Sequence, residues 1–186
     1  MTLAEIQERL EICPLVASVH EDRFGQALES PAQIVFVLEG TVMTVAEQIR
    51  MAHEKGKAIF VHIDLMRGIG KDRCGVEYLV KLGADGIIST RASLIKNAKE
   101  FGVIAVQRYF AIDSQGIESI REMIGSTKPD FIEIMPGVVN KVISRFVSEE
   151  VPVIAGGLIE TKAEVTAALG CGAIAVSTGT RELWYL

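Results

Sequence analysis

Cysteine is too scarce and too scattered in this 186-residue chain to build a covalent framework. Cys13, Cys74 and Cys171 are odd in number and none falls in a C-x-x-C pair, which argues against a disulfide scaffold and a cysteine zinc site. They are read as reduced thiols, with Cys74 close to Lys71 and Arg73. No apolar run approaches the ~18 residues that a bilayer span needs. The opening "MTLAEIQERLEICP" has neither a basic start nor a long apolar segment, so residues 1–13 read as an amphipathic helix rather than a secretory signal. A cytoplasmic protein with no membrane partner is the expectation. Aromatic residues make up only 6% of the chain, which leaves few platforms for stacking bases. Positive charge is also in deficit. The net charge of −5 argues against a wholly basic nucleic-acid surface. The deficit is uneven, because residues 62 to 108 hold eight Lys/Arg against five Asp/Glu. An anionic partner is expected to meet the middle of the chain.

What the chain has in quantity is short apolar runs, rich in Val and Ile, that alternate with amphipathic stretches. The runs cover residues 15–20, 34–40, 58–65, 86–90, 103–110, 131–137, 151–157 and 173–179. Several are nearly continuous, as suits strands covered on both faces in a parallel sheet. Helical signals separate them. Thr44 and Glu47 have the T-x-x-E spacing of a capping box, with Gly56 as its C-terminal stop, and Thr161 and Glu164 repeat that spacing. In "KVISRFVSEE", Val142, Ile143, Phe146 and Val147 form one stripe. Eight such alternations predict a compact (β/α)8 TIM-type barrel, a single domain over residues 1–186. At ~23 residues per unit against ~31 in a typical barrel, some outer helices must be short or missing. A doubly wound parallel sheet is the alternative.

The chemistry of a parallel barrel sits at the C-terminal ends of its strands. Alternation along "FVHIDL" puts His62 and Asp64 on one face, and "FIEIM" does the same for Glu133. Thr90, Arg91, Gln107 and Arg108 close the fourth and fifth strands. The candidate polar ligand contacts are therefore His62, Asp64, Arg91, Gln107, Arg108 and Glu133. Internal ion pairing, such as Asp64 with Arg91 or Arg108, is the competing explanation, since unpaired buried charge is very costly. His62, Asp64 and Glu133 have side chains that can ligate a metal, but an H-x-D pair is a weak signal and no metal or cofactor is assigned. "AGGLI" follows the seventh run and "STGT" the eighth, where barrels often build a phosphate site. Gly156, Gly157, Leu158, Thr178, Gly179 and Thr180 are accordingly the candidate phosphate-binding residues. "RGIGKDRCG" matches neither a dinucleotide fingerprint nor a P-loop, and there is no G-x-S-x-G.

Taken together, "VFVHIDLMRGIG", "DGIISTR", "VQRYF", "EIMPGVV", "IAGGLI" and "AIAVSTG" resemble the glycerol-3-phosphate-responsive antiterminators of bacterial glycerol operons, from about residue 10 to the end. The resemblance implies a regulator rather than an enzyme. Its effector would be glycerol 3-phosphate and its partner the leader mRNA of glycerol-utilisation genes, with transcription antitermination as the outcome. On this view Arg67, Lys71, Arg73, Arg91, Lys96 and Lys99 are the candidate RNA contacts, and the effector orders the glycine-rich loop "MRGIGKDRCG". The alternative is a barrel enzyme acting on a small phosphorylated polyol or sugar, with Asp64 or Glu133 as general base; no strand-end lysine for a Schiff base is evident. A barrel that has lost RNA binding is a further alternative. The C-terminal "LWYL" is a candidate homo-oligomer interface.

Overall fold

A computed structural model of the chain describes residues 1–111, 113–147 and 151–186. Eight parallel strands form a closed barrel: β1 (Leu15–Val19), β2 (Ile34–Val37), β3 (Ala58–His62), β4 (Gly86–Ser89), β5 (Ile104–Phe110), β6 (Phe131–Met135), β7 (Val153–Gly156) and β8 (Ala175–Thr178). Neighbours in sequence are neighbours in space, and β8 pairs with β1, which excludes the open doubly wound sheet. The brevity of the units is met by thin outer cover. The helices after β1 and β6, α2 (Phe24–Glu29) and α7 (Asn140–Phe146), are short, and β8 is followed only by a 3-10 turn, Arg181–Tyr185. The remaining helices are α1 (Leu3–Ile12), α3 (Val45–Glu54), α4 (Arg73–Lys81), α5 (Ala92–Glu100), α6 (Ser114–Thr127) and α8 (Lys162–Gly170). The last three residues of the predicted "KVISRFVSEE" stretch lie outside the described residues.

Side-chain alternation divides each strand between two apolar environments. Val16, Ile34, Phe36, Phe60, Val106 and Phe131 fill the barrel interior. The alternate residues, such as Ile59, Ile87 and Ile132, pack outward against the helices. Each such side chain, fully buried, contributes about 1.5–3 kcal/mol. α1 closes the N-terminal end of the barrel by adding Ile6 and Leu10 to the interior cluster. The C-terminal end is different. The next inward positions are Ser18, His62, Arg108, Glu133 and Ser177, and all five are buried. The apolar core therefore ends in a polar layer at the face where parallel barrels carry their ligands.

Local signals held in one place and failed in another. Thr161 and Glu164 form the reciprocal box at the start of α8. Thr44 does not cap α3. Its hydroxyl donates to Glu21 Oε1 at 2.8 Å, and Glu47 pairs with Arg50. The predicted third strand is also shorter than its apolar run. Extended backbone ends at His62 and residues Ile63–Leu65 form a 3-10 turn, which leaves Leu65 half-exposed. No helix among the described residues is long and apolar enough to cross a membrane. The C-terminal "LWYL" divides, with Tyr185 and Leu186 half-exposed at the surface. Leu183 and Trp184 are buried, and Trp184 Nε1 donates to the carbonyl of Thr178 at 2.8 Å.

Candidate functional site

A cavity of about 140 Å3 opens among the C-terminal strand ends. At a water's share of liquid volume, ~30 Å3, the enclosed part has room for about five waters, and its mouth opens to solvent. Ser18, His20, Arg108, Glu133, Ser177, and the turns after β7 and β8 line it, with Leu38, Met135 and Ile159 as apolar wall. Of the six predicted phosphate residues, Gly157, Leu158, Thr178 and Gly179 face this one space.

The β7 turn owes its shape to two successive left-handed residues, Gly157 at φ +76° and Leu158 at φ +60°. Glycine takes that conformation freely, whereas leucine pays about 1–2 kcal/mol for it. The strain marks a backbone held for a purpose other than packing, since the Leu158 side chain is mostly exposed. The amides of Gly157, Leu158 and Gly179 donate to no acceptor among the described residues. The two turns are tied together, because the Thr178 hydroxyl donates to the carbonyl of Ile159 at 2.7 Å. That bond corrects the expected role of Thr178. Its side chain faces outward by strand parity and is already engaged, and it accepts from the Thr180 amide at 3.0 Å, which leaves Thr180 only its hydroxyl to offer. Gly156 is also reassigned. A Cβ there would lie 2.5 Å from Glu133 Oε1, so the missing side chain makes room for a carboxylate.

Behind the amides stands a buried ion pair. Arg108 and Glu133 are direct register partners on β5 and β6, with Nε to Oε2 at 2.5 Å and side chains 7% and 1% exposed. Ser177 donates its hydroxyl to the other carboxylate oxygen. Arg108 spends Nε on Glu133 and still lines the cavity. His62 lies inward but does not line the cavity, and its Nδ1 has no partner. Burial first, then the nearby Arg108 charge, lowers its pKa to about 4 against the pull of Asp64 and Glu133, so it is neutral at pH 7.

The other candidates lie elsewhere. Gln107 faces away from the barrel, accepting from Thr127 Oγ1 at 2.6 Å and donating towards Met123 of α6. Adjacent strand residues face opposite ways, so Gln107 and Arg108 could not both reach a ligand in the barrel. Asp64, thrown off the strand by the 3-10 turn, accepts from Ser89 Oγ and from the amide and hydroxyl of Thr90, with Arg91 Nε at 3.4 Å. This cluster satisfies Asp64 within the fold, while Arg91 beside it stays more than half exposed. His62 Nδ1 is 4.0 Å from Asp64, and no group of three or more His, Cys, Asp or Glu among the described residues is arranged to hold a metal.

The six candidate RNA cations do not form one free patch. Lys71 turns inward, donating to the carbonyls of Ile63 and Met66, and burial lowers its pKa. Arg73 pairs with Glu100 and sits 4.6 Å over the ring of Phe101. Lys99 pairs with Asp130, at the N-terminal end of β6 and so away from the ligand face. Arg67 is exposed, 3.9 Å from Glu39, and Lys96 is exposed. The loop carrying Arg67 and Lys71 is already built. Met66–Arg67 pairs in parallel with Gly40–Thr41, Lys71 clamps its carbonyls, and Asp72 caps α4 through the Gly75 amide. An effector that acts by ordering this loop does not fit that geometry.

Sequence reasoning missed Ser18, His20, Arg23 and Ser177. Arg23 donates to the carbonyl of Gly179 at 3.0 Å, which sets a cation beside the free amides. Strand parity applied to "LVASVH" and "AIAVSTG" finds Ser18 and Ser177, two residues beyond the inward Val16 and Ala175.

Comparison with known proteins bears on this site. The family described as glycerol-3-phosphate responsive antiterminator matches residues 15–184. The crystal structure of a glycerol uptake operon antiterminator regulatory protein from Listeria monocytogenes is 33% identical, covers 92% of this chain and 95% of its own, and superimposes with a TM-score of 0.88. A glycerol uptake operon antiterminator-related protein from Thermotoga maritima is 32% identical over 91% of this chain and 96% of its own, with a TM-score of 0.83. The Escherichia coli protein YgcP, described as uncharacterized, is 34% identical over 93% of this chain and 92% of its own length.

Proposed function

Because the chain belongs to the glycerol-3-phosphate responsive antiterminator family, we propose that glycerol 3-phosphate binds in the cavity at the C-terminal strand ends, and that the liganded barrel binds the leader of a glycerol-gene mRNA so that transcription passes a terminator. The observation that carries the effector half is that Gly157, Leu158 and Gly179, whose amides have no acceptor among the described residues, line one cavity together with Arg108. Amides and a guanidinium together suit a phosphate dianion. Arg23, bound to the Gly179 carbonyl, adds positive charge at the rim.

The RNA half rests on the family and on the remaining exposed cations of the same face. Arg67 follows β3, and Phe110, more than half exposed at the end of β5, offers a ring for stacking. With few cations, contact would be local and salt-sensitive. Because the β3–α4 loop is preformed, coupling would run instead through the β7 and β8 turns, whose free amides would acquire a partner only when the anion arrives. Linkage then requires that glycerol 3-phosphate raise RNA affinity by the same factor as RNA raises glycerol 3-phosphate affinity. Fluorescence anisotropy with the leader RNA, with and without effector, measures the first factor, and calorimetry with and without RNA the second. Equal factors above about fivefold are expected. Identical RNA affinity in both states would contradict the proposal, and so would turnover of glycerol 3-phosphate into product.

A further inference from the structure

A site for a dianion has no evident use for a carboxylate, yet Glu133 lines this cavity and is the single acidic residue to do so among the described residues. The fold makes room for it by keeping Gly156 bare beside Oε1, and fixes it with Arg108 on one oxygen and Ser177 on the other. A carboxylate offers about four acceptor positions, and these contacts use two. The remaining capacity in the cavity calls for a donor. The other polar groups facing the space do not share this demand. The amides and Arg108 donate, and Ser18 Oγ, unpartnered and buried, can donate or accept.

We propose that Glu133 is a specificity-determining residue that reads the oxidation state of the bound carbon chain, admitting an alcohol and rejecting a carbonyl. A hydroxyl donates its proton to the carboxylate. A ketone at the same carbon has only lone pairs to present, so it loses the hydrogen bond and adds repulsion against a buried negative charge. Sites built to bond a hydroxyl discriminate strongly against analogues without one, because the buried polar group is left unpaired. The sensor would then report the reduced three-carbon phosphate and ignore its oxidised relative, although the two have the same length and charge.

This inference rests on the phosphate-site proposal, and one set of titrations separates the two. Calorimetry on the full chain would compare glycerol 3-phosphate, dihydroxyacetone phosphate and inorganic phosphate. The expected result is a preference of about tenfold or more for glycerol 3-phosphate over dihydroxyacetone phosphate, with inorganic phosphate weakest. In Glu133→Gln the side-chain amide both accepts and donates, so that preference should fall to within about threefold. A wild-type protein that binds the alcohol and the ketone within about threefold overturns the inference and leaves the phosphate site standing. A Glu133→Gln protein that keeps the full preference also overturns it. If neither ester binds, both fall. Should Glu133→Gln not fold, Glu133→Asp keeps the charge but withdraws the carboxylate by one methylene. Its preference should drop at least about threefold, and an unchanged preference there counts against the inference.

Discussion

Glu133→Ala is expected to cost the barrel about 3–5 kcal/mol. The carboxylate is 1% exposed and its partner guanidinium 7%, so removing one leaves the other charged, desolvated and unpaired. Ser177 loses its acceptor at the same time. Arg108→Met should cost a comparable amount, by stranding the carboxylate. In a chain of this size each kcal/mol shifts the melting temperature by about 2–4 °C, so a fall of roughly 6–20 °C is expected for either variant by calorimetry. Joint replacement, Arg108→Met with Glu133→Leu, should recover most of that loss, because a buried pair is often worth no more than well-packed apolar residues. The double variant should nevertheless show no thermal shift with glycerol 3-phosphate. Its stability would separate the pair's part in folding from its part in the site. A loss below about 1 kcal/mol for Glu133→Ala would mean that the pair is not desolvated as described.

The second large effect concerns two glycines that look alike in sequence. Gly157→Val should abolish effector binding. Its φ of +76° is unfavourable to any side chain, most of all a β-branched one, and a Cβ would lie 2.6 Å from Met135 Cε. The Met135 methyl can rotate aside, but relief of the backbone strain requires moving the turn that carries the free amides of Gly157 and Leu158. At one hundred times its dissociation constant, glycerol 3-phosphate should stabilise the wild-type protein by about 2.7 kcal/mol, and the variant by nothing measurable. Gly179→Ala should behave oppositely. Its backbone is not left-handed, and the nearest atom to an added Cβ is Ser18 O at 3.5 Å, an ordinary contact. Its amide can stay in place, and affinity should change by less than about threefold. A full thermal shift in Gly157→Val would remove the β7 turn from the site.

The barrel was legible in the sequence because its signal is repeated. Eight apolar runs separated by amphipathic ones allow few arrangements, and an error at one run end, such as the turn at Ile63–Leu65, does not disturb the rest. The site was less legible because it depends on parity and on distant partners. Arg108 and Gln107 are adjacent and equally polar, yet one enters the barrel and the other packs against α6. The alternation rule separates them only once a neighbouring inward residue, Val106, is known. Glycine was found easily and its reason less so. Gly157 is required by its backbone, whereas Gly156 yields space to a carboxylate on another strand. Lys71 and Asp64 show the limit. In sequence both look free to reach a ligand, but their partners are carbonyls, hydroxyls and an amide that the chain brings together only by folding. Thr44 fails for the same reason, because Glu21 competes for its hydroxyl from 23 positions away.

The claim on which the account turns is that an anion sits on the free amides of the β7 and β8 turns. An amide-resolved NMR titration with glycerol 3-phosphate tests it directly. Saturable shifts that begin at Gly157, Leu158 and Gly179, and extend to the Arg108 side chain, are the predicted result. Saturable shifts confined to exposed cations such as Arg67 and Lys96, with those three amides unmoved, would contradict it.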